Sequence, residues 1–309
     1  MSTETADVAV VVVTFNSSDV LPGLLTSLPA GLGDLTWSLC VVDSASHDRS
    51  TTIARRLVPS CTVVEMGRNA GYAAGLNAGV SASPPHRAVL VLNPDVRLDA
   101  GSVGNLAERL AQPGVGIAVP RLRDGNGDLH HSIRREPTTL RALGDAVLGA
   151  GRAGRWPACG ELVTSRASYA HGGPVDWAEG SVQLISADCW RACGPWDESF
   201  FLYSEETEFG LRARDRGFVT WFEPSSSAVH LQGDSRTSPT LWALLVVNRV
   251  RLQGLRHGWL AATPFWVVTL AREVSRAALG RATSRAAVGA LLRPRRWGTF
   301  GRPEQDVVG

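Results

Sequence analysis

Three acidic residues lie close together in the segment YSEETEF, where Glu205, Glu206 and Glu208 occupy the first turn of a predicted helix. The helix dipole stabilises acids at this end by about 0.3–1 kcal/mol each, so they could be purely structural. Three like charges over four residues nevertheless repel, and the repulsion is relieved if one carboxylate binds a ligand or takes up a proton. Because a glutamate within hydrogen-bond reach of a hydroxyl can act as a general base, the segment is a candidate catalytic site.

Three other polar residues directly follow predicted strands. Asp43 ends CVVD, Asp95 ends VLVLNPD and His230 ends SSAVH. A carboxylate only accepts hydrogen bonds, so Asp43 could bind the N3–H of a uracil or thymine ring, or it could cap the next helix. Asp95 could bind a metal or form a simple Pro-Asp turn. A lone histidine is more often structural than a metal ligand, so His230 also has two interpretations.

Alternating strands and helices must position these residues. The β-branched runs predict buried strands, and the polar segments between them predict helices, a spacing typical of right-handed βαβ crossovers in an open parallel sheet. In such sheets ligands bind beyond the carboxyl ends of the strands. Asn16, Asp43, Arg68 and Asp95 all follow strand ends, so we expect them along one edge. The four predicted strands are DVAVVVVTF, WSLCVVD, CTVVEM and AVLVLNPD.

The second half of the chain is less regular. RDGNGD, residues 123–128, predicts a hairpin turn. Residues 149–174 are rich in Gly, Ala, Arg and Pro and predict a mobile loop. VTWFEPSSSAVHLQG predicts a late pair of strands that ends at His230, and helices follow Thr240.

Composition excludes several kinds of site. All 31 basic residues are arginine, so neither a P-loop nor a catalytic lysine is possible. GRNAGYAAGLNAG does not follow the first strand and is not a dinucleotide fingerprint; its glycines at 71, 75 and 79 predict a bare helix face that sheet or ligand can approach. The five cysteines are irregularly spaced, which indicates reduced thiols in a cytoplasmic protein rather than a zinc site.

Charge is concentrated near the C-terminus. The whole chain carries a formal charge of +2, yet residues 240–302 contain eleven arginines and one acid, Glu273. Basic, aromatic helices favour an anionic membrane surface, and the alternative is a helical pair that packs on the rest of the protein with a solvated arginine face. No nucleic-acid motif accompanies the charge, and the apolar run 258–271 is too short to span a bilayer. The residues behind the membrane interpretation are Trp242, Trp259, Phe265, Trp266, Arg249, Arg251, Arg256 and Arg272.

Taken in order, these motifs resemble the family 2 inverting glycosyltransferases of GT-A fold, and within them the rhamnosyltransferase-like branch. The resemblance runs over roughly residues 8–235 and departs from the family at Ser44, where asparagine is usual, and at Glu206 and Glu208, where aspartates are usual. The matching segments are VVVVTFN, VVDSASHDRS, GRNAGYAAGLNAG, LNPDV, WAEGSVQLIS, GPWDESFFLYSEETEFGLR and AVHLQGDS.

The resemblance implies a role for each matching residue. Asp95 and His230 would bind a divalent cation, Mn²⁺ or Mg²⁺, and Glu206 would be the catalytic base, with Glu205 as its rival. The implied nucleotide-sugar-binding residues are Thr14, Phe15, Asn16, Asp43, Arg68, Asn69, Gly71, Tyr72, Asn77, Asn93 and Asp95. The implied acceptor-binding residues are Trp177, Gly180, Ser181, Trp196 and Asp197.

The resemblance also implies a fold and an activity. The expected fold is α/β of GT-A type, with a Rossmann-like, mostly parallel sheet and flanking helices. Residues 1–100 would bind the nucleotide sugar, residues 101–239 would bind the acceptor and catalyse transfer, and residues 240–309 would form a basic helical extension. The expected reaction moves a sugar from a dTDP- or UDP-linked donor, favouring dTDP-rhamnose, to a glycan or polyprenyl-linked hydroxyl.

Two other functions stay open at this point. The altered Glu205–Glu206 pair leaves room for a non-catalytic nucleotide-sugar-binding protein. A sugar nucleotidyltransferase is less favoured, because it needs a glycine-rich loop after the first strand and a lysine. The expected location is the cytoplasm, with peripheral contact at the cytoplasmic face of the membrane if the C-terminal helices bind lipid.

Overall fold

The computed structural model of the protein describes residues 5–231 and 238–298. The strands are β1 (Ala6–Thr14), β2 (Trp37–Asp43), β3 (Thr62–Glu65), β4 (His86–Leu92), β5 (Val96–Leu98), β6 (Val115–Arg123), β7 (Leu129–His130), β8 (Ile133–Arg134), β9 (Gly173–Val175), β10 (Trp177–Ala178), β11 (Val182–Ser186) and β12 (Val219–His230). The helices are α1 (Leu21–Leu32), α2 (Ser50–Leu57), α3 (Tyr72–Ala82), α4 (Ser102–Leu110), α5 (Thr139–Leu148), α6 (Ala150–Ala153), α7 (Arg166–Ala170), α8 (Ala187–Cys193), α9 (Glu205–Asp215), α10 (Pro239–His257), α11 (Trp259–Ala278) and α12 (Ala282–Leu291), followed by a 3₁₀ turn at Pro294–Arg296.

The first half of the chain folds into the predicted parallel sheet. Strands β3, β2, β1 and β4 lie side by side in that order and are parallel, with Val11 of β1 paired to Cys40 and Val91. Residues 8–13 are buried on both faces of the sheet, as their continuous run of alanine and valine indicates. Parallel pairing places the carboxyl ends of β1, β2 and β4 at one edge, where the predicted polar residues follow.

The second half extends the same sheet with mixed pairing. Strand β11 lies antiparallel to β4, and the order continues through β6, β12 and β5, with β6 and β12 parallel. The α/β fold with a large sheet and flanking helices is therefore confirmed. The predicted hairpin is also present, because β6 and β7 pair on either side of a turn closed by the Asp124 carboxylate.

Two local predictions were wrong. The late pair of strands is one strand, β12, whose register shifts between Glu223 and Ser227 around Pro224; proline cannot donate a ladder hydrogen bond, so it fits a bulge. Residues 149–174 are not an open loop but contain α6 and α7. The Arg135 guanidinium donates to the carbonyl of Gly160, which lies within that segment, and Tyr169 is buried.

The small residues of α3 serve packing against the sheet. A Cβ on Gly79 would lie 2.4 Å from Val11 and one on Gly75 would lie 2.8 Å from Val13, so the bare face lets the helix approach β1. Gly71, just before the helix, has a φ of +94°, and a Cβ there would lie 2.4 Å from the Phe201 carbonyl oxygen. That carbonyl accepts the Tyr72 N–H, so α3 is fixed against the segment that leads to the candidate base.

Helices α10, α11 and α12 pack together around Val246, Val250, Phe265 and Leu291. Helix α10 is also joined to the rest of the protein, because the Asn248 amide donates to the carbonyls of Leu202 and Tyr203. Within the part of the chain that the structure describes, no helix has the length and apolar character needed to cross a membrane. The five cysteines are free thiols, as the sequence predicts, and three of them are buried.

Candidate active site

The loops after β1 and β2 hold one another at the carboxyl edge of the sheet. The Thr14 hydroxyl donates to Asp43 Oδ1 (3.1 Å), and Asp43 Oδ2 accepts the Ser46 N–H (2.9 Å). Asn16, which adopts a positive φ of 51°, accepts the His47 N–H through its side chain (2.8 Å). These contacts shape a two-loop platform on which Phe15 is exposed, and Arg68 is exposed in the loop after β3.

Asp43 does not cap the following helix. Asp48 does so instead, because its carboxylate accepts the N–H of Ser50 at the start of α2 and that of Ser18 across the loop (3.0 and 2.8 Å). The helix-cap interpretation of Asp43 was therefore wrong. Asp43 is buried at the base of the platform, and its ligand-binding role stays a prediction.

Three of the predicted site residues stabilise the segments around the site through contacts with other protein groups. The Asn77 amide donates to the Trp196 carbonyl (2.9 Å) and accepts the Trp196 N–H (2.9 Å), so α3 anchors the segment after α8. Trp196 is buried and stacks on Phe209 of α9 with ring centroids 5.5 Å apart. Asp197 accepts the Ser199 N–H and closes the next turn. The structure thus shows contacts between these three residues and the rest of the protein that the sequence motifs alone could not predict.

A cavity of about 400 Å³ opens beside the platform, between the sheet edge, α9 and α10. The Ser181 hydroxyl points into buried space without a hydrogen-bond partner among residues 5–231 and 238–298, and so does Glu206 Oε2. Unpartnered buried oxygens are costly, so these two atoms are candidates for hydrogen bonds with a ligand. The predicted residues that line the cavity are Tyr72, Asn93, Trp177, Gly180, Ser181, Glu205, Glu206 and His230.

The two glutamates enter this cavity from a strained turn. Tyr203 and Ser204 both adopt left-handed backbone conformations, with φ values of 68° and 75°, immediately before α9. Such conformations are unfavourable for residues other than glycine and concentrate at functional sites. Glu205 is 3% exposed, whereas Glu206 is only partly buried. Of the two, Glu206 is therefore the more accessible to a substrate.

Burial changes the proton affinity of both carboxyl groups. Loss of hydration raises the pKa of Glu206 to about 7, although backbone N–H groups at the start of α9 partly oppose the rise. Loss of hydration also raises the pKa of Glu205 well above its usual range, and the neighbouring charge of Glu206 adds to the effect. The predicted repulsion is thus relieved by a proton, and Glu206 is placed to exchange one near neutral pH.

The Glu205→Gln variant is expected to gain stability over wild type as pH rises from 5 to 8. Because the pKa of Glu205 is raised in the folded state, the folded protein keeps a proton that the unfolded chain releases above pH 4.5. The free energy of unfolding of the wild-type protein therefore falls as pH rises through this window. Glutamine removes the titration. Thermal melts at pH 5, 6, 7 and 8 measure the difference, and a gain in Tm that is equal at every pH would contradict the assignment.

The candidate metal ligands lie together, and His230 lines the cavity. Asp95 Oδ1 is 3.4 Å from His230 Nε2, and both side chains are largely buried. Protein ligands bind transition metals at about 2.0–2.2 Å, so this spacing suits two groups that share one ion. Burial lowers the pKa of His230, but contact with Asp95 and the charge of Glu179 outweigh it and raise that pKa.

Glu179 and His130 extend this cluster and were not predicted. Glu179 contacts His130 Nε2, and its other oxygen accepts from Arg134 (3.1 Å). Glu179 Oε1 also lies 3.9 Å from His230 Nδ1, an atom without a hydrogen-bond partner among the described residues. At 3.9 Å the two groups attract by charge without a hydrogen bond. Glu179, His130 and His230 together offer ligand atoms within 4.8 Å of one another that could hold a metal ion. The one sign of this contact in the sequence is that Glu179 is the acid of the WAEGS segment. Its partner His130 is 49 residues away, so the pattern alone could not bring the two together.

The C-terminal arginines that suggested a membrane face are paired within the protein. Arg249 contacts Glu161, Arg251 donates to the Ser199 carbonyl, and Arg256 pairs with Asp215. Arg272 pairs with Glu273, and Phe265 is buried. These contacts support the packing interpretation for the four arginines, and contact of the C-terminal helices with a membrane stays a prediction.

The fold resembles that of the GT-A glycosyltransferases. Residues 9–160 form a domain that matches the model of the family Glycosyl transferase family 2. A solved mannosyltransferase from Pyrobaculum calidifontis, in complex with GDP-Man and Mn²⁺, has a similar fold: the TM-score is 0.57 at 18% identity, over 96% of this chain and 84% of that one.

The curated relatives include a rhamnosyltransferase. The chain is 28% identical over 275 residues to the N-acetylglucosaminyl-diphospho-decaprenol L-rhamnosyltransferase of Mycobacterium tuberculosis, covering 84% of this chain and 88% of that protein. It is 27% identical over 213 residues to a low-salt glycan biosynthesis hexosyltransferase of Haloferax volcanii, covering 67% of this chain and 62% of that protein. The protein is therefore similar to rhamnosyl- and hexosyltransferases, and a nucleotidyltransferase is not supported.

Proposed function

We propose that the protein is an inverting hexosyltransferase that moves rhamnose from dTDP-rhamnose to a hydroxyl group of a lipid-linked glycan. The observation that carries this proposal is the cavity lined by both Glu206, a carboxylate with a pKa of about 7, and His230, whose Nε2 lies 3.4 Å from Asp95 Oδ1. The rhamnosyltransferase relative supports the sugar, and its printed name supports a polyprenyl diphosphate acceptor. Asp43 suits a thymine or uracil base, because a carboxylate accepts the ring N3–H.

In the proposed reaction Glu206 acts as the general base. Its accessible oxygen accepts the proton of the acceptor hydroxyl while that hydroxyl attacks the anomeric carbon from the face opposite the leaving nucleoside diphosphate. One displacement inverts the anomeric centre and requires no covalent intermediate. Trp177 and Gly180 form the wall next to Glu206 and would place the acceptor sugar.

We further propose that Asp95 and His230 hold a divalent cation, with Glu179 as the carboxylate that orients His230. The ion would neutralise negative charge that develops on the diphosphate. Imidazole nitrogen favours manganese over magnesium as the ion. Asn93 stands where a second acid would lie in the loop after β4, so that loop supplies one carboxylate, Asp95. The protein is therefore expected to bind the ion weakly alone and tightly together with the nucleotide.

A transfer assay tests the proposed function. The protein is incubated with dTDP-rhamnose or with UDP- and GDP-linked sugars, each with a synthetic prenyl diphosphate-linked N-acetylglucosamine and Mn²⁺. The expected result is transfer from dTDP-rhamnose with inversion at the anomeric carbon. Binding of a nucleotide sugar without transfer to any acceptor would favour the non-catalytic alternative, and transfer only from a GDP-linked sugar would refute the donor.

The surface proposed to meet an anionic membrane lies on α11. Leu260, Val267 and Val274 are each about half or more exposed and recur every seven residues, so they share one helix face with Pro264, Ala271 and Ala278. Arg281 and Arg285 are exposed on the next helix. An apolar stripe next to arginines suits a peripheral helix, since each arginine near an anionic surface adds about 1 kcal/mol.

The double variant Val267→Asp, Val274→Asp is expected to lose binding to vesicles that contain anionic phospholipid, because it places two negative charges on the apolar stripe. Flotation with vesicles of phosphatidylglycerol and phosphatidylcholine measures the bound fraction. Leu57→Asp, at an exposed position on α2, is the matched control and should bind like wild type. Equal binding of the double variant and wild type would exclude this face.

A further inference from the structure

A second cavity, of about 460 Å³, lies inside the C-terminal helices and away from the active site. Helices α10, α11 and α12 and the 3₁₀ turn after them enclose it, and three indole rings line it, those of Trp259, Trp266 and Trp297. Its volume falls in the range of about 300–1,000 Å³ that is typical of small-molecule sites. Nothing in the proposed reaction uses it.

The sequence positions the indole rings specifically. Gly254 of α10 is required there, because a Cβ at this position would lie 2.6 Å from the Trp259 ring. The Trp259 ring then meets Trp297, with ring centroids 5.7 Å apart, although Trp259 itself stays 55% exposed. A tryptophan held half exposed beside a cavity leaves apolar surface for a ligand to cover.

The chemistry of the lining selects an apolar ligand with an anionic end. The Trp266 N–H donates to the Leu291 carbonyl (3.3 Å) and the Trp297 N–H donates to the Ala290 carbonyl (2.9 Å). Both rings therefore offer only carbon to the cavity. Arg295 is the one charged residue that lines it within the described part of the chain, and it is exposed at the rim.

Helix α10 separates this cavity from the active site. Leu245, Arg249 and Leu252 line the catalytic cavity, whereas Val250 lines the tryptophan cavity. At 100° per residue, Val250 lies about 140° and 160° around the helix from Leu245 and Leu252 and about 100° from Arg249. The two cavities therefore open on different faces of α10.

We propose that the tryptophan cavity binds the first isoprene units of the prenyl chain that carries the acceptor sugar. The indole faces would contact the branched hydrocarbon, and Arg295 would lie near the phosphate end of the chain. This inference rests on the proposed function, in which the acceptor is lipid-linked. It adds a subsite that recognises the carrier separately from the sugar.

Filling the cavity tests the inference. Thr263 lines it from an exposed position, so Thr263→Phe should fill it without unfolding α11, and Ala261→Phe, two residues away and also exposed, is the matched control. Binding of farnesyl diphosphate is measured by calorimetry, with inorganic diphosphate as a second probe. We expect Thr263→Phe to weaken binding of farnesyl diphosphate at least tenfold, Ala261→Phe to bind like wild type, and inorganic diphosphate to be unaffected by either substitution.

Two outcomes would overturn the inference: equal affinity of Thr263→Phe and wild type for farnesyl diphosphate, or equally tight binding of straight-chain dodecyl phosphate, which would indicate a phospholipid chain. Thermal melts establish that both variants are folded. The binding test does not depend on turnover, so failure of the proposed transfer reaction is seen separately. Where transfer occurs, Thr263→Phe should raise KM for the prenyl-linked acceptor and leave KM unchanged for an acceptor without the chain.

Discussion

Glu206→Gln is expected to lower kcat for sugar transfer by about 10²–10⁴-fold, the range that a positioned general base contributes. Glutamine keeps the shape of the side chain but cannot take the proton of the acceptor hydroxyl. Because nothing in donor binding requires this carboxylate, KM for the nucleotide sugar should change little. Steady-state kinetics with saturating donor and acceptor measure both quantities.

The neighbouring glutamate provides the control for this prediction. Glu205 is more deeply buried than Glu206, and burial raises its pKa well above the usual range, so Glu205→Gln should retain most of the activity. If Glu205→Gln abolished transfer while Glu206→Gln kept it, the two roles would be reversed.

The same assignment predicts how activity depends on pH. A general base must be ionised, and the pKa of Glu206 is about 7, so kcat should rise with pH through neutrality and level off above it. The residual kcat of Glu206→Gln should not show this rise with pH. A wild-type profile that stays flat between pH 5.5 and 8.5 would contradict the assignment.

Asp95→Asn is expected to abolish tight binding of Mn²⁺ in the presence of a nucleoside diphosphate and to reduce transfer by about 10³-fold. The variant loses the one carboxylate of the candidate metal pair, and a bound ion supplies several kcal/mol of charge stabilisation in reactions of this kind. In the wild type, calorimetry should detect little Mn²⁺ binding alone and strong binding with dTDP. Strong Mn²⁺ binding by the variant would exclude Asp95 as a ligand.

Glu179 offers a graded test of the same site. Removal of a carboxylate that orients a metal-binding histidine typically costs 10–100-fold in metal affinity, so Glu179→Gln should weaken Mn²⁺ binding by that factor without abolishing it. Asp99→Asn is the matched control, because Asp99 lies four residues beyond Asp95 but pairs with Arg123. Its Mn²⁺ affinity should match that of wild type. Unchanged affinity of Glu179→Gln would show that His230 is oriented by other contacts.

The local sequence pattern predicted the parallel half of the sheet correctly. It failed for segments whose structure depends on contacts with distant residues. Buried parallel strands need continuous apolar runs, so β1, β2 and β4 could be predicted directly from their valines. Residues 149–174 carry no such pattern, and the Gly160 carbonyl between their two short helices accepts a hydrogen bond from Arg135, which lies outside the segment. The bulge in β12 likewise depends on how Pro224 meets the neighbouring strand β6.

The residues of the candidate site also fall into two groups, those that the sequence could identify and those that it could not. Asp95, His230 and the two glutamates could be found from the sequence, since each follows a strand or starts a helix whose position the pattern fixes. The sequence could not choose between Glu205 and Glu206, because that choice depends on which carboxyl group reaches the cavity. Nor could it find Glu179 or His130, whose contact requires strands far apart in the chain to meet.

The sequence by itself determined the resemblance to family 2 glycosyltransferases, the order of the strands and helices in the first half of the chain, and the edge of the sheet where the candidate site lies, because these follow from local periodicity and from short motifs in a fixed order. Only the tertiary structure decided which acids are buried, what the C-terminal arginines bind and that the late helices enclose a cavity lined by tryptophans. Burial and pairing are properties of segments brought together in space. The same arginine can face lipid or an internal glutamate, and the fold alone selects its partner.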